Sequence, residues 1–138
     1  MNDNLIFIKK NAPRLHQAII TKLIYGLTDL YKNRKTKFFA YPETMIDESE
    51  TSPVPDVMLI DPDTGLSHVI IEITHTQGVK KDIKKLQELM QNYGVGEGFV
   101  YNYKQKQWYK CRLDLEGVAE NISFCDTINY DLDELLFD

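Results

Sequence analysis

Cysteine is scarce in this sequence: 138 residues contain two, Cys111 and Cys125. Two cysteines in a chain without an export signal are expected to be free, partly buried thiols, not a disulfide framework. No Cys/His spacing of the structural-zinc kind occurs. Long hydrophobic runs are missing as well. The opening stretch MNDNLIFIKK has an apolar run of four residues and lacks the basic segment and extended apolar stretch of a signal peptide. No run approaches the roughly 20 residues of a membrane span, so the chain is expected to be cytoplasmic and off the membrane. Basic residues are absent after Arg112, whereas eight of the 21 acids lie from Asp114 to Asp138. The net charge of −5 excludes a protein that gathers nucleic acid by a strong overall positive field. It still leaves the part before Asp114 with 16 basic against 13 acidic residues, enough for a local basic face. No internal repeat or linker-like composition interrupts the chain, and 43% hydrophobic with 27% charged residues is ordinary globular composition. Residues 1–138 are therefore read as one domain with a sizeable core.

Periodicity predicts a first helix over residues 12–31. Asn11 is its candidate cap, Pro13 suits its first turn, and Leu15, Ile19, Leu23, Leu27 and Leu30 form one apolar stripe. His16 falls on that stripe, either as a hydrogen-bonded core residue or as a side chain aimed into a site. Residues 31–37, YKNRKTK, are a basic connector. Phe38 to Tyr41 read as a strand continuing through Thr44-Met45-Ile46 across a kink at Pro42, and residues 47–53 as a loop. Two apolar strands, Asp56–Ile60 and Val69–Ile73, flank Asp61-Pro62-Asp63-Thr64-Gly65, a strong turn signal. A second helix is predicted over 79–93, closed by Gly94. Its apolar face carries Val79, Ile83, Leu86, Leu89, Met90 and Tyr93, with Asp82 inside that face and Lys85 on its border. Strands over 96–102 and 108–113, an edge strand at Ile122-Ser123-Phe124, and a docked helical turn bearing Leu132, Leu135 and Leu136 complete the order. The fold class is α/β or α+β, with helices on a mixed sheet.

Each hairpin strand carries one acid where an apolar core strand wants none. With pairing symmetric about Thr64, Ile60 faces His68 and Asp56 faces Glu72. Opposed like charges destabilise a sheet unless a cation lies between them. Alternation puts Glu72 and Thr74 on one face. Two facing carboxylates suit a hard cation such as Mg²⁺, which takes oxygen ligands; without one, repulsion raises the pKa of one acid. Lys80, Lys81, Lys84 and Lys85 are either phosphate contacts or solvated helix surface. His75, just past the strand, is either a general base or further ligand or a loop residue.

Pro55-Asp56, then Glu72-Ile73-Thr74, behind one helix and before another ending in Tyr93-Gly94-Val95, resembles the PD-(D/E)xK nuclease superfamily. The ordered set of Asp56, Glu72, Asp82, Gly94-Val95-Gly96-Glu97 and Asp131-Leu132-Asp133-Glu134-Leu135, with His16 in the first helix, is most similar to the Uma family of restriction endonucleases. The resemblance implies a restriction-endonuclease-like α-β-β-β-α-β core with a central mixed sheet flanked by helices. It also implies Mg²⁺ or Mn²⁺ held by Asp56, Glu72 and the carbonyl of Ile73, and hydrolysis of DNA phosphodiesters. The family's catalytic lysine positions fall here on Thr74 and Leu86. Lys85, near Asp82, is the substitute expected to steady the phosphate, with Asp82 orienting it or a water. The alternative is a catalytically degenerate member acting as a nucleic-acid or protein binding module. Double-strand cleavage by one small site favours a homodimer.

Overall fold

The computed structural model describes residues 13–47 and 52–137. Helix α1 (Arg14–Lys32) buries Ile19, Ile20, Leu23 and Leu27, while Leu15, on the same predicted stripe, is exposed at the first turn. Pro13 occupies the N-cap position and no side chain caps the helix there; Asn11 lies outside the described residues. Strands β1 (Phe39–Pro42), β2 (Val57–Ile60), β3 (Ser67–Thr74), β4 (Glu97–Asn102), β5 (Gln107–Arg112) and β6 (Ala119–Glu120) form one sheet in that order. Between β3 and β4 lie a 3-10 turn (Thr76–Gly78) and helix α2 (Val79–Tyr93), which ends on Gly94 at φ 68°. A crossover helix lets the flanking strands run parallel. β3 and β4 are the parallel pair and the other neighbours antiparallel, so the sheet is mixed, as expected.

Alternation along β3 divides the core. Val69, Ile71 and Ile73 join α1 on one face, together with Phe99, Tyr101 and Trp108. Ile70 joins α2 on the other face, together with Met58, Val100 and Cys111. Both cysteines are free and buried. Glu72 and Thr74 share the parity of Ile70, so β3 points them to the α2 layer at its C-terminal end.

Three sequence expectations change. The β2–β3 register pairs Val57 with Ile71 and Leu59 with Val69, as symmetry about Thr64 requires, then slips so that Ile60 faces Ser67 and not His68. That extra residue is a bulge, and it lies at the end of the hairpin away from the acids. Thr44 to Ile46 do not extend β1: Glu43 turns to φ 41° and the Ile46 amide closes a loop onto the Pro53 carbonyl at 3.1 Å. Residues 122–124 do not edge the large sheet either; β6 does, while β7 (Phe124–Cys125) pairs with β8 (Tyr130–Asp131). A buried carboxylate causes this. Glu97 accepts from the amides of Asp126 (2.8 Å) and Thr127 (2.7 Å) and from the Thr127 hydroxyl, and it pairs with the buried Lys110 ammonium at 2.9 Å. The segment after β7 is thus tied to the start of β4. The chain then docks a 3-10 helix (Leu132–Leu136) through buried Leu132 and Leu135. Leu135 lies so close to α1 that a Cβ on Gly26 would come within 2.6 Å of its Cδ2. Among the described residues no helix is long and apolar enough to cross a membrane.

Candidate metal centre

Asp56 directly precedes β2, and Val57 pairs with Ile71, so the acid stands at the sheet end beside Glu72 and Ile73. The Ile73 amide donates to Asp56 Oδ2 at 2.8 Å, replacing the ladder bond that β2 can no longer supply. Being just outside the strand, Asp56 is reached from both layers. From α1, His16 places Nε2 3.5 Å from the same Oδ2, while its Nδ1 lies 2.9 Å from Gln17 Oε1 and its ring stands edge-on to Tyr103 with the ring centroids 6.3 Å apart. From the α2 layer come Glu72, 3% exposed, and Lys85, whose Nζ lies 3.7 Å from Glu72 Oε2. That distance makes an ion pair but no hydrogen bond. Glu72 Oε2 is buried and has no hydrogen-bond partner.

An orphaned buried carboxylate oxygen is costly, and the local ionisation follows from it. Burial first, then the negative charge of Asp56, push Glu72 from 4.5 to about 8; the Lys85 ammonium opposes them. Burial also pushes Asp56 upward, but His16 and the Ile73 amide outweigh it and hold Asp56 below its usual value. His16 is raised from 6.5 to about 9, chiefly by its contact with Asp56 and against burial. The centre is therefore an imidazolium beside an aspartate held in its charged form, next to a glutamate that holds a proton more tightly than a free carboxyl does. Among the described residues no group of three or more His, Cys, Asp and Glu side chains is arranged to hold a metal. The donor set is two carboxylates with the backbone beside them. Mg²⁺ suits such a set, since it is usually bound by one or two carboxylates and completed by water or substrate oxygens.

The Uma2 family profile, described as "Putative restriction endonuclease", matches residues 2–130. The chain belongs to the Uma2 family. Its fold is similar to that of "a putative nuclease belonging to DUF820" from Anabaena variabilis, at 14% identity and a TM-score of 0.69, over 90% of this chain and 81% of that one. No curated protein matches it significantly.

In this Uma2 chain Thr74 stands where the sequence resemblance leads one to expect a lysine, and its place is set by the packing. Thr74 is 4% exposed. The turn after β3 closes over it so tightly that a Cβ on Gly78 would come within 2.4 Å of Thr74 Oγ1, 3.7 Å of His75 Nε2 and 3.8 Å of Asp82 Oδ2. Asp82 therefore lies by this turn, and among the described residues no ion pair or hydrogen bond joins it to Lys85. Lys85 pairs with Glu72 instead. His75 is exposed, as are Lys80, Lys81 and Lys84. Three residues near the acids went unremarked in the sequence: Gln17, Tyr103 and the buried Asn102. His16 gave the only signal among the α1 neighbours, as a polar residue on an apolar stripe.

Proposed function

We propose that this Uma2 protein is a metal-dependent nuclease that hydrolyses DNA phosphodiester bonds. In this reading Asp56, Glu72 and the carbonyl of Ile73 hold Mg²⁺ or Mn²⁺, Lys85 steadies the phosphate, and Asp82 orients a water or the lysine. The observation that carries it is the buried Oε2 of Glu72, which has no hydrogen-bond partner and only the Lys85 ammonium at 3.7 Å, beside an Asp56 held below its usual pKa. Such a pair costs stability unless a cation satisfies it. When bound, the cation would polarise the phosphodiester and lower the pKa of a bound water. The chain's residues do the rest. The Ile73 amide fixes Asp56, and the His16 imidazolium keeps it ionised. Lys85 has a side chain 47% exposed, so it meets Glu72 on one side and substrate on the other. Hydrolysis joins the water oxygen to phosphorus as the bond to the leaving oxygen breaks. Cutting both strands calls for two copies, and a homodimer belongs to this proposal.

A second reading, a binding module without turnover, is favoured by Thr74 at the motif lysine position under the roof of Gly78. Two measurements decide. Mn²⁺ titrated calorimetrically into wild type should release heat that Asp56→Asn abolishes, and equal heats, or none from either, would sink the metal centre. Wild type should nick supercoiled DNA with Mg²⁺ or Mn²⁺; metal binding without nicking at any divalent ion selects the second reading.

A further inference from the structure

The sheet end that carries the acids also carries two loops joined by one buried side chain. Asn102, 1% exposed, ends β4 beside Thr74 of β3. Its Nδ2 donates to Thr76 Oγ1 at 3.2 Å, in the turn that leads into α2. Its Oδ1 accepts from the amides of Lys104 (3.0 Å) and Gln105 (3.4 Å), in the turn between β4 and β5. The Tyr103 amide adds a bond to the Thr74 carbonyl at 2.9 Å. The two loops are thus one rigid piece, and a buried amide that meets its partners fixes their spacing.

This piece is basic in an acidic protein. From Ile73 to Lys81 and from Gly98 to Leu113 there is no acid. Lys80 and Lys81 open α2, and Lys104 and Lys106 stand on the other turn, all four exposed. Lys106 sits at φ 53°, a conformation glycine adopts more cheaply. A chain of contacts links the piece to the candidate centre: Lys104 Nζ lies 5.8 Å over the Tyr103 ring, Tyr103 packs on His16, and His16 pairs with Asp56. Exposed lysines act as point charges for phosphate oxygens and carry no base readout.

We propose that these two loops, tied by Asn102, form a clamp for the phosphodiester backbone of nucleic acid flanking the bond held at Asp56 and Glu72. This rests on the nuclease reading for its ligand. Asn102 is a positioning residue in it: it touches no phosphate but fixes the loops that do. The clamp grips backbone irrespective of base sequence, and each phosphate contact adds close to one unit to the salt dependence of binding.

The test is fluorescence anisotropy of labelled 20-nucleotide single strands and 20-base-pair duplexes with the full chain in EDTA, across a salt series. Wild type binds, and Lys104→Gln/Lys106→Gln weakens binding at least fivefold and lowers the slope of log affinity on log salt by about two. Lys35→Gln, in the connector after α1, leaves both unchanged. Thr76→Val, which removes the acceptor of the Asn102 amide, weakens binding in a chain that circular dichroism shows to be folded at the assay temperature, and Thr76→Ser restores it. Wild-type slope and affinity in the double variant, an equal loss in Lys35→Gln, or no binding by wild type overturns the clamp. Cleavage is scored separately with Mg²⁺ and Mn²⁺. Lysine-dependent binding without cleavage keeps the clamp and removes hydrolysis; cleavage with lysine-independent binding keeps hydrolysis and removes the clamp.

Discussion

Replacing Glu72 by Gln tests the electrostatics of the acid pair without any substrate. In the folded chain Glu72 is raised from 4.5 to about 8, by burial first and by Asp56 second. A raised carboxyl pKa means that the folded state holds the proton more tightly than the unfolded state. The stability this contributes is full below about 4.5 and is lost as pH climbs to about 8. At about 1.4 kcal/mol per pKa unit, the displacement is worth on the order of 4 to 5 kcal/mol, and Glu72 is too buried for solvent to screen it much. Glutamine has the same shape, stays neutral and can donate to Asp56 as the protonated acid does. Urea unfolding of wild type in EDTA should therefore show stability falling by several kcal/mol from about pH 5 to about 8.5. Glu72→Gln should lack the Glu72 part of that fall, most plainly below about pH 6.5, and keep the part due to His16, whose contribution is lost between 6.5 and about 9. A divalent cation displaces the proton on binding, so its stabilisation of wild type should grow with pH up to about 8 and be small in the variant. Parallel pH profiles for the two proteins would falsify the claim that Glu72 carries this proton.

Two further outcomes follow from the same geometry. Asp56→Asn removes the group that raises His16 to about 9, so the His16 ring titration followed by NMR should fall toward the ordinary histidine value near 6.5; an unmoved titration refutes the pairing. Gly78→Ala would drive a methyl to within 2.4 Å of Thr74 Oγ1, an overpacking worth about 1 to 3 kcal/mol. Thr74→Ala in the same chain should recover much of that loss, and simple additivity of the two changes in urea midpoint would contradict the contact.

Much of the fold was legible where local rules decide it. Helix α2 runs from Val79 to Tyr93 and ends on a left-handed Gly94, because its 3.6-residue periodicity and C-terminal glycine point to the same boundaries. The acids were legible for the opposite reason: Glu72 interrupts Val69-Ile70-Ile71, and a carboxylate among residues that are fully buried is too costly to be filler. What escaped depends on contacts between distant segments. The bulge at Ile60 is set by how Asp61 closes the turn, accepting from the Gly65 amide at 2.7 Å and donating its own amide to the Leu66 carbonyl at 3.0 Å. The misplaced edge strand reflects Glu97 gathering amides about 30 residues away. Asn102 gave no signal, since an asparagine before a turn is ordinary in sequence and becomes informative only when buried.

Lys85 shows which force won. Sequence spacing allowed it an ion pair with Asp82, three residues earlier on α2, a kind of exposed helix pair worth only a few tenths of a kcal/mol. Glu72 offers instead a carboxyl oxygen buried beside the negative charge of Asp56, where water screens little and a nearby cation counts for more. The lysine therefore turns to Glu72 and leaves Asp82 by the Gly78 turn. The border position on the helical face was readable from residue spacing. The choice between two acids was not, because it depends on burial that only the assembled sheet creates.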